Sequence, residues 1–536
     1  MSNPDTTSVP SGEPQPTPVM DNTPTDSVSV PMETTVEPTK YEEQNASHSQ
    51  TVPVPEEKPN DNHQSSDFMA TDSIGKVMWK LTYPNIIAKV VSAMYSVCDT
   101  IFIGKMAGET QAERDTALAA VTLAMPLEQG IIHSIVMMIS NGGSTLYGRF
   151  IGEKNEERGK KTIGNTYFLE IVAAIIIALI FPFLTDFLLG LLGASESANT
   201  LTPGREYSNV LFYGCICYAM SMASVDLIRG QGSAIYSALF AILSATLNMI
   251  GDPFYIKVCG MGVAGAALST VLANLVSGIL GIVFMRSKKA VMSFQAKDMK
   301  PEKELDKKII LTGMSGLVSG FAGAFVTLIS NKLVLNYSKY PEDDPHTVAV
   351  LGAWGALSKV YFISFMPLIA LAQGVMPMLA YSSGAKLHKR FMDCAKLTFK
   401  WMMGITVVIE AFILIFTPWI ATWFSDNPMF IEFFVPATRI VVSGVFLQPF
   451  VMAVFPMLQA VGKGGLSGML LAMKTCFFPL VFQLVMSMIL QDYWGAVYSY
   501  PVVEVISAIY AGYLFMKNKG LFTGEELPIQ KEKPTM

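Results

Sequence analysis

The chain has 536 residues, 51% of them hydrophobic and only 15% charged, with a formal net charge of −5. Soluble globular chains carry roughly 25% charged residues, so this composition excludes an ordinary soluble domain and points to one embedded in lipid. The charge is also uneven. Residues 1–75 hold 13 acids against two bases, Lys40 and Lys58, a local −11 that leaves +6 for the rest.

Residues 1–70 are rich in Pro, Ser, Thr, Glu and Asp and nearly free of aromatics. Such a segment buries too little apolar surface to fold alone. It also lacks the basic start and apolar core of a signal peptide. The sequence predicts a disordered acidic cytoplasmic tail over 1–74.

Long apolar runs follow, such as IVAAIIIALIFPFL (171–184) and FFPLVFQLVMSMIL (477–490). About 20 mostly apolar residues span a bilayer as a helix. None of the runs alternates with period two, so helices are predicted rather than a barrel. In chain order the spans are 78–104, 116–147, 163–192, 204–229, 233–257, 262–286, 308–335, 347–380, 393–424, 431–460, 465–490 and 493–516. The fold class is therefore all-α integral membrane, with twelve transmembrane helices.

The loops after spans two, six and eight are base-rich: Arg149 to Lys161, Arg286 to Lys308, and Lys386 to Lys400. The segment YPEDDPH (340–346) between spans seven and eight is acidic. Lys and Arg are retained on the cytoplasmic side, so both termini are expected to be cytoplasmic. The basic join splits the spans into an N-lobe (75–290), a linker (291–307) and a C-lobe (308–518), with a C-terminal tail at 519–536. Gly152 has a counterpart in Gly384 and Gly232 one in Gly462, at offsets of 232 and 230. Six spans per half make this a parallel repeat, two six-helix lobes related by a pseudo-two-fold axis along the membrane normal.

The six cysteines form no CxxC pair and no zinc spacing with histidine. No cofactor is expected, and no HExxH or GxSxG motif supports catalysis, so the chain is not expected to be an enzyme. A central Asp in a span costs roughly 2.5–3.5 kcal/mol on insertion scales, and so demands a reason. Asp99 lies late in span one and Asp252 in span five. Asn248 shares a helix face with Asp252, one turn away. Pro253 frees a backbone carbonyl nearby. With Thr270 in span six and Tyr207 at the start of span four, these groups could line an oxygen-rich cation site. Na⁺ suits oxygen ligands, and a proton is the other candidate, since a carboxyl removed from water favours its neutral form. Alternatively both aspartates merely cap helix ends. Glu128 and Lys359 are secondary candidates. Lys359 sits deep in span eight, where helix-end carbonyls or Tyr361 could hold it.

Three stretches carry a family resemblance. PNIIAKVVSAMYSVCDTIFIGK (84–105) resembles the first helix of multidrug and toxic-compound extrusion (MATE) transporters. ATLNMIGDPFYIKVCGMGVAGAALSTV (245–271) resembles their fifth-to-sixth helix junction, and LAQGVMPMLAYSSGAKLHKR (371–390) the end of their eighth helix. The resemblance covers about residues 75–518, and in the N-lobe follows the DinF-like and archaeal pattern. It implies a first-half site of Asp99, Asn248, Asp252, Thr270 and Tyr207, and a helix-bending role for Pro84. Span seven, IILTGMSGLVSGFAGAFVTLISNKLVL, lacks the acid that NorM-like members carry there.

The resemblance implies multidrug efflux: a secondary antiporter that exports organic compounds, cationic or amphipathic, in exchange for Na⁺ or H⁺ by alternating access. Its expected partners are a small-molecule substrate and the lipid bilayer, with no nucleic acid, and it is expected to be a monomer in the plasma membrane. The 1–70 tail is expected to be dispensable, with a chain starting near Ser73 still active. The alternatives are a lipid-linked oligosaccharide flippase of the same superfamily, which wants a strongly cationic cavity, and a membrane-embedded enzyme.

Overall fold

The computed structural model describes residues 68–192, 200–337, 345–425 and 427–525. Most of the expected tail and the acidic 340–344 stretch lie outside them. Among the described residues the ordered structure is helical, because a lipid-embedded backbone must satisfy its polar groups internally.

Six rods form the N-lobe. They are α1 (Ile74–Met106), α2 (Gln111–Leu127, a π turn at Glu128–His133, then Ser134–Gly152), α3 (Glu156–Leu191), α4 (Leu201–Tyr213 with Cys215–Gly230), α5 (Ala234–Pro253 and a π turn at Phe254–Val258) and α6 (Gly262–Arg286). A capping box of Thr110 and Glu113 starts α2. The two parts of α4 meet at 53°. The break falls at Gly214, where a Cβ would run into the Val271 side chain.

The C-lobe repeats the plan. It comprises α7 (Lys303–Thr312 and Met314–Asn336), α8 (Pro345–Gly384), α9 (His388–Thr422), α10 (Pro428–Val442 with Gln448–Ala460), α11 (Gly464–Ala472, a π turn at Met473–Phe477, then Phe478–Leu490) and α12 (Trp494–Lys517), followed by α13 (Lys519–Thr523). Among the described residues nine helices are long and apolar enough to cross a membrane, ten with the bent α4. With α1 and α7 the rods make twelve, six to a lobe.

The repeat is visible in the backbone. Lys154 and Lys386 are counterparts at the same offset as Gly152 and Gly384, and both sit at φ 55°. The counterparts Gly232 and Gly462 sit at φ 90° and 81°. These are left-handed turns at one end of the molecule, the end that also carries the base-rich loops.

The lobes share their largest core at that basic end, and α7 packs on α2 as far along as Gly320 against Ser134. Tyr147 and Ile151 of α2 join one apolar cluster with Val375 and Met378 of α8 and Leu458 of α10. At the opposite end each lobe keeps its own cluster, around Ile103, Val121 and Phe212 in the N-lobe and around Trp354, Phe434 and Val497 in the C-lobe.

Three segments read as solvated tail or linker are packed instead. Residues 68–71 are helical, and Met69 is completely buried. In the 291–307 linker the Val291 amide donates to Gln231 Oε1 at 3.1 Å and the Met292 amide to the Tyr147 hydroxyl at 3.2 Å. Phe294 stacks on Tyr167. In the C-terminal tail, Phe522 is buried between Phe391 and Phe515. In each case a few apolar residues within a polar stretch close the basic end of a lobe, too few to register in composition.

Candidate functional site

The N-lobe brings the sequence-picked residues together. α1 supplies Asp99, α5 supplies Asn248 and Asp252, α6 supplies Thr270, and the first part of α4 supplies Tyr207. Asp99, Asp252, Asn248 and Tyr207 are buried, with Asp252 fully so. The Asp99 and Asp252 carboxyl groups are close enough to interact with each other.

Asn248 is fixed by its neighbours. Its Nδ2 donates to Thr270 Oγ1 at 2.9 Å. The Ser269 hydroxyl donates back to the Asn248 carbonyl at 3.0 Å, and Thr270 Oγ1 donates to the Ala266 carbonyl at 3.3 Å. With its amide nitrogen so held, Asn248 Oδ1 points free. Gly251 leaves room for this approach, since a Cβ there would press on Ser269.

At this site four of the described buried acceptor oxygens have no donor: Asp99 Oδ1, Asn248 Oδ1 and both oxygens of Asp252. Buried polar atoms are almost always paired. Four orphan acceptors converging from two carboxylates and an amide are a donor set for a small hard cation or for protons. Helix capping does not account for them, because the Asp252 oxygens accept from no backbone amide.

Glu128 joins the site's edge. It lies on the α2 π turn and reaches the Tyr207 hydroxyl. Tyr95 of α1 stands among Glu128, Asp99 and Asp252. Tyr95 and Ser269 carry no motif signal, although Tyr95 is one helical turn before Asp99 and on its face. On the next turn of α2, His133 Nδ1 contacts the Tyr218 hydroxyl. Pro84 lies inside an unbroken α1, with Asn85 Nδ2 donating to the Leu81 carbonyl at 2.9 Å.

The second candidate behaves differently from its expected pairing. Lys359 is exposed on α8, on one face with Gly352 and Gly355. It lines a cavity of about 430 Å³ closed by Phe424 and Phe430. It does not hold Tyr361, whose hydroxyl donates to Glu504 Oε1 at 2.6 Å. The cation of that network is Lys474, whose Nζ lies 2.6 Å from each Glu504 oxygen. Asp226 is likewise paired, with Arg229 and with the Ser140 hydroxyl at 2.8 Å.

Among the described residues no three His, Cys, Asp or Glu side chains are spaced to hold a metal. Two lobes of six membrane helices, joined at one end, with a buried polar site inside the first, define a multi-pass membrane transporter of small molecules rather than an enzyme.

A model of the MatE family matches residues 84–254 and again 317–489, once in each lobe. The chain belongs to this family. It is 24% identical over 452 residues to the multidrug export protein MepA of Staphylococcus haemolyticus, covering 83% of this chain and 94% of that one. The Staphylococcus aureus protein of the same name is 22% identical over 449 residues, with the same coverage. A solved MOP-superfamily transporter from Pyrococcus furiosus superposes with a TM-score of 0.73 at 22% identity, over 85% of this chain and 98% of that one. A structure described as the outward-facing conformation of a multidrug resistance MATE transporter gives 0.75 at 22% identity, over the same shares.

Proposed function

We propose that the chain is a cation-coupled antiporter that exports organic cations or amphipathic compounds. The carrying observation is the pair of buried carboxylates, Asp99 and Asp252, whose three unpartnered oxygens lie with the unpartnered Asn248 Oδ1 in one site. Na⁺ or H⁺ entering this site neutralises the pair. Asn248 and Thr270 complete an Na⁺ shell, Tyr207 and Glu128 border it, and Pro84 lets α1 respond to the change of charge. An ion shifts the conformational equilibrium only if it binds the two states differently. Two carboxylates held together provide that difference, because the cost of keeping them close without a cation depends on their spacing.

The lobes rock about the shared core. With the basic end closed and separate cores at the other, the cavity is open to the outside. The base-rich loops put that closed end, and both termini, in the cytoplasm. Export function in the similar MepA proteins supports this reading, and a plasma-membrane setting goes with it. Both lobes and the core between them lie within one chain, so the proposed unit is a monomer.

The test is efflux of a fluorescent organic cation from proteoliposomes, with Na⁺ and H⁺ gradients imposed one at a time. One of the two gradients should drive efflux. Efflux indifferent to both overturns the reading.

A further inference from the structure

The two lobes carry the same ladder of polar pairs with the charges on different rungs. Gly232 and Gly462, the glycines that open α5 and α11, mark one point of the repeat at an offset of 230. Gly265-Ala266 with Ser269-Thr270 in α6 recurs as Gly495-Ala496 with Ser499-Tyr500 in α12, at the same offset. On that offset Ser244 of α5 corresponds to Lys474 of α11, and Asn274 of α6 to Glu504 of α12. Both pairs are bonded: Ser244 Oγ to Asn274 Oδ1 at 3.3 Å, and Lys474 Nζ to both Glu504 oxygens at 2.6 Å.

A π turn adds one residue to a helix. The turn at Met473–Phe477 therefore lengthens the offset by one further along α11. There Gln483 corresponds to Asp252, and Ser330 of α7 faces it as Asp99 of α1 faces Asp252. This pair is bonded too, Ser330 Oγ donating to Gln483 Oε1 at 2.6 Å. The N-lobe thus has a neutral inner rung and a rung of two carboxylates with no cation. The C-lobe has a neutral outer rung and an inner carboxylate that brings its own cation.

We propose that the Glu504 pocket is a second cation site of the transporter, permanently filled by the Lys474 ammonium. The pocket is built like a binding site. Glu504 is 1% exposed and Lys474 4%. Besides Lys474, Glu504 Oε1 accepts from the Tyr361 hydroxyl at 2.6 Å and from Gln448 Nε2 at 3.2 Å. These donors come from α8 and α10, so the carboxylate is gripped from three helices besides its own. A tethered ammonium cannot exchange with solution. The Glu504 pocket is therefore silent to the transported ion, and, on the reading of the N-lobe given above, a transport cycle carries its cation at Asp99 and Asp252 rather than here.

The experiment removes the tether. Thermal midpoints are measured in detergent for wild type, Lys474→Ala, and Lys474→Ala with Glu504→Gln. Na⁺ or methylammonium replaces choline at constant ionic strength. All three are repeated with Asp252→Asn, so that any N-lobe response is removed separately. Lys474→Ala should gain a midpoint that climbs with the logarithm of the cation concentration, in both backgrounds. The added Glu504→Gln change should abolish that gain. A Lys474→Ala response no larger than wild type, or one that survives Glu504→Gln, overturns the proposal. Removing one partner of a buried pair is strongly destabilising, so Lys474→Ala can fail to accumulate in choline. Its recovery as folded protein when extracted in methylammonium then supports the proposal. No recovery, while the double variant folds, overturns it. Indifference of the wild type to Asp252→Asn would count against the N-lobe reading and leave this one standing.

Discussion

Gly152 and Gly384 make the same contact in opposite directions. A Cβ on Gly152 of α2 would fall on the Tyr381 carbonyl of α8, and a Cβ on Gly384 of α8 on the Arg149 carbonyl of α2. Gly152 pairs with Gly384, and Arg149 with Tyr381, at one and the same repeat offset, so the contact straddles the pseudo-two-fold axis. It joins the lobes at the basic end, where Gln459 of α10 also donates to Thr145 Oγ1 of α2 at 3.0 Å.

Replacing either glycine by leucine should therefore disfavour the closed basic end. Overpacking costs about 1–3 kcal/mol, and about 1.4 kcal/mol shifts an equilibrium tenfold. Gly152→Leu and Gly384→Leu should insert and fold, because each lobe's own contacts are untouched. Distances between spin labels across the lobes at the basic end should lengthen, and efflux should fall about tenfold or more. Unchanged distances with full efflux would remove this contact from the cycle.

Arg390 donates to the Met69 carbonyl through Nε and to the Asp72 carbonyl through a terminal nitrogen, both at 2.6 Å. Met69 also packs on Gly232 of the other lobe. Expected to be dispensable, the 1–70 segment ends in an anchor shared by both lobes. A chain starting at Asp67 should transport and melt like the full chain. A chain starting at Ser73 loses Met69, which should cost about 2–5 kcal/mol, the range for emptying a buried methionine site. Melting in detergent and efflux at equal membrane abundance distinguish the two. Equal midpoints would make the anchor ornamental.

Much of the site was legible in the sequence because carboxylates within apolar spans stand out and i, i+4 spacing fixes a face. Asp99, Asn248 and Asp252 needed only that, whereas Thr270 and Tyr207 were picked out by the family resemblance. Pairing between helices was not legible. Lys474 and Glu504 lie on neighbouring rods, α11 and α12, and nothing local says that their faces meet. Lys359 attracted notice for its depth, yet it faces out while Tyr361, two residues on and about half a turn round the helix, faces in. The π turns escaped for a related reason. At Glu128–His133 and Met473–Phe477 the residues read as ordinary helix, and only the hydrogen-bond register changes. That one extra residue re-aims Glu128 and sets Gln483 opposite Ser330.

The orientation can be checked at Gln295, which is exposed in the join between α6 and α7. A single cysteine there, in a background without other reactive thiols, should resist an impermeant maleimide in intact cells. It should label once the membrane is opened. Labelling in intact cells would invert the topology, and with it the direction of transport.

Asp99 and Asp252 should act as one unit. They are the facing carboxylates of a site whose acceptors outnumber its donors, so neutralising either by substitution imitates a bound proton at that position. Asp99→Asn and Asp252→Asn should each reduce ion-driven efflux to background while membrane abundance and melting stay near wild type. Melting should even rise, since an unsatisfied buried charge is replaced by a neutral amide of the same shape. The double variant should be little worse than either single one, because groups in contact do not contribute additively. Substrate binding measured at equilibrium should also lose its dependence on the coupling ion in each variant, since linkage between two ligands is reciprocal. Wild-type efflux by both single variants under the same gradient would place the coupling elsewhere, with Glu128, on the same cavity edge, the next carboxylate to replace.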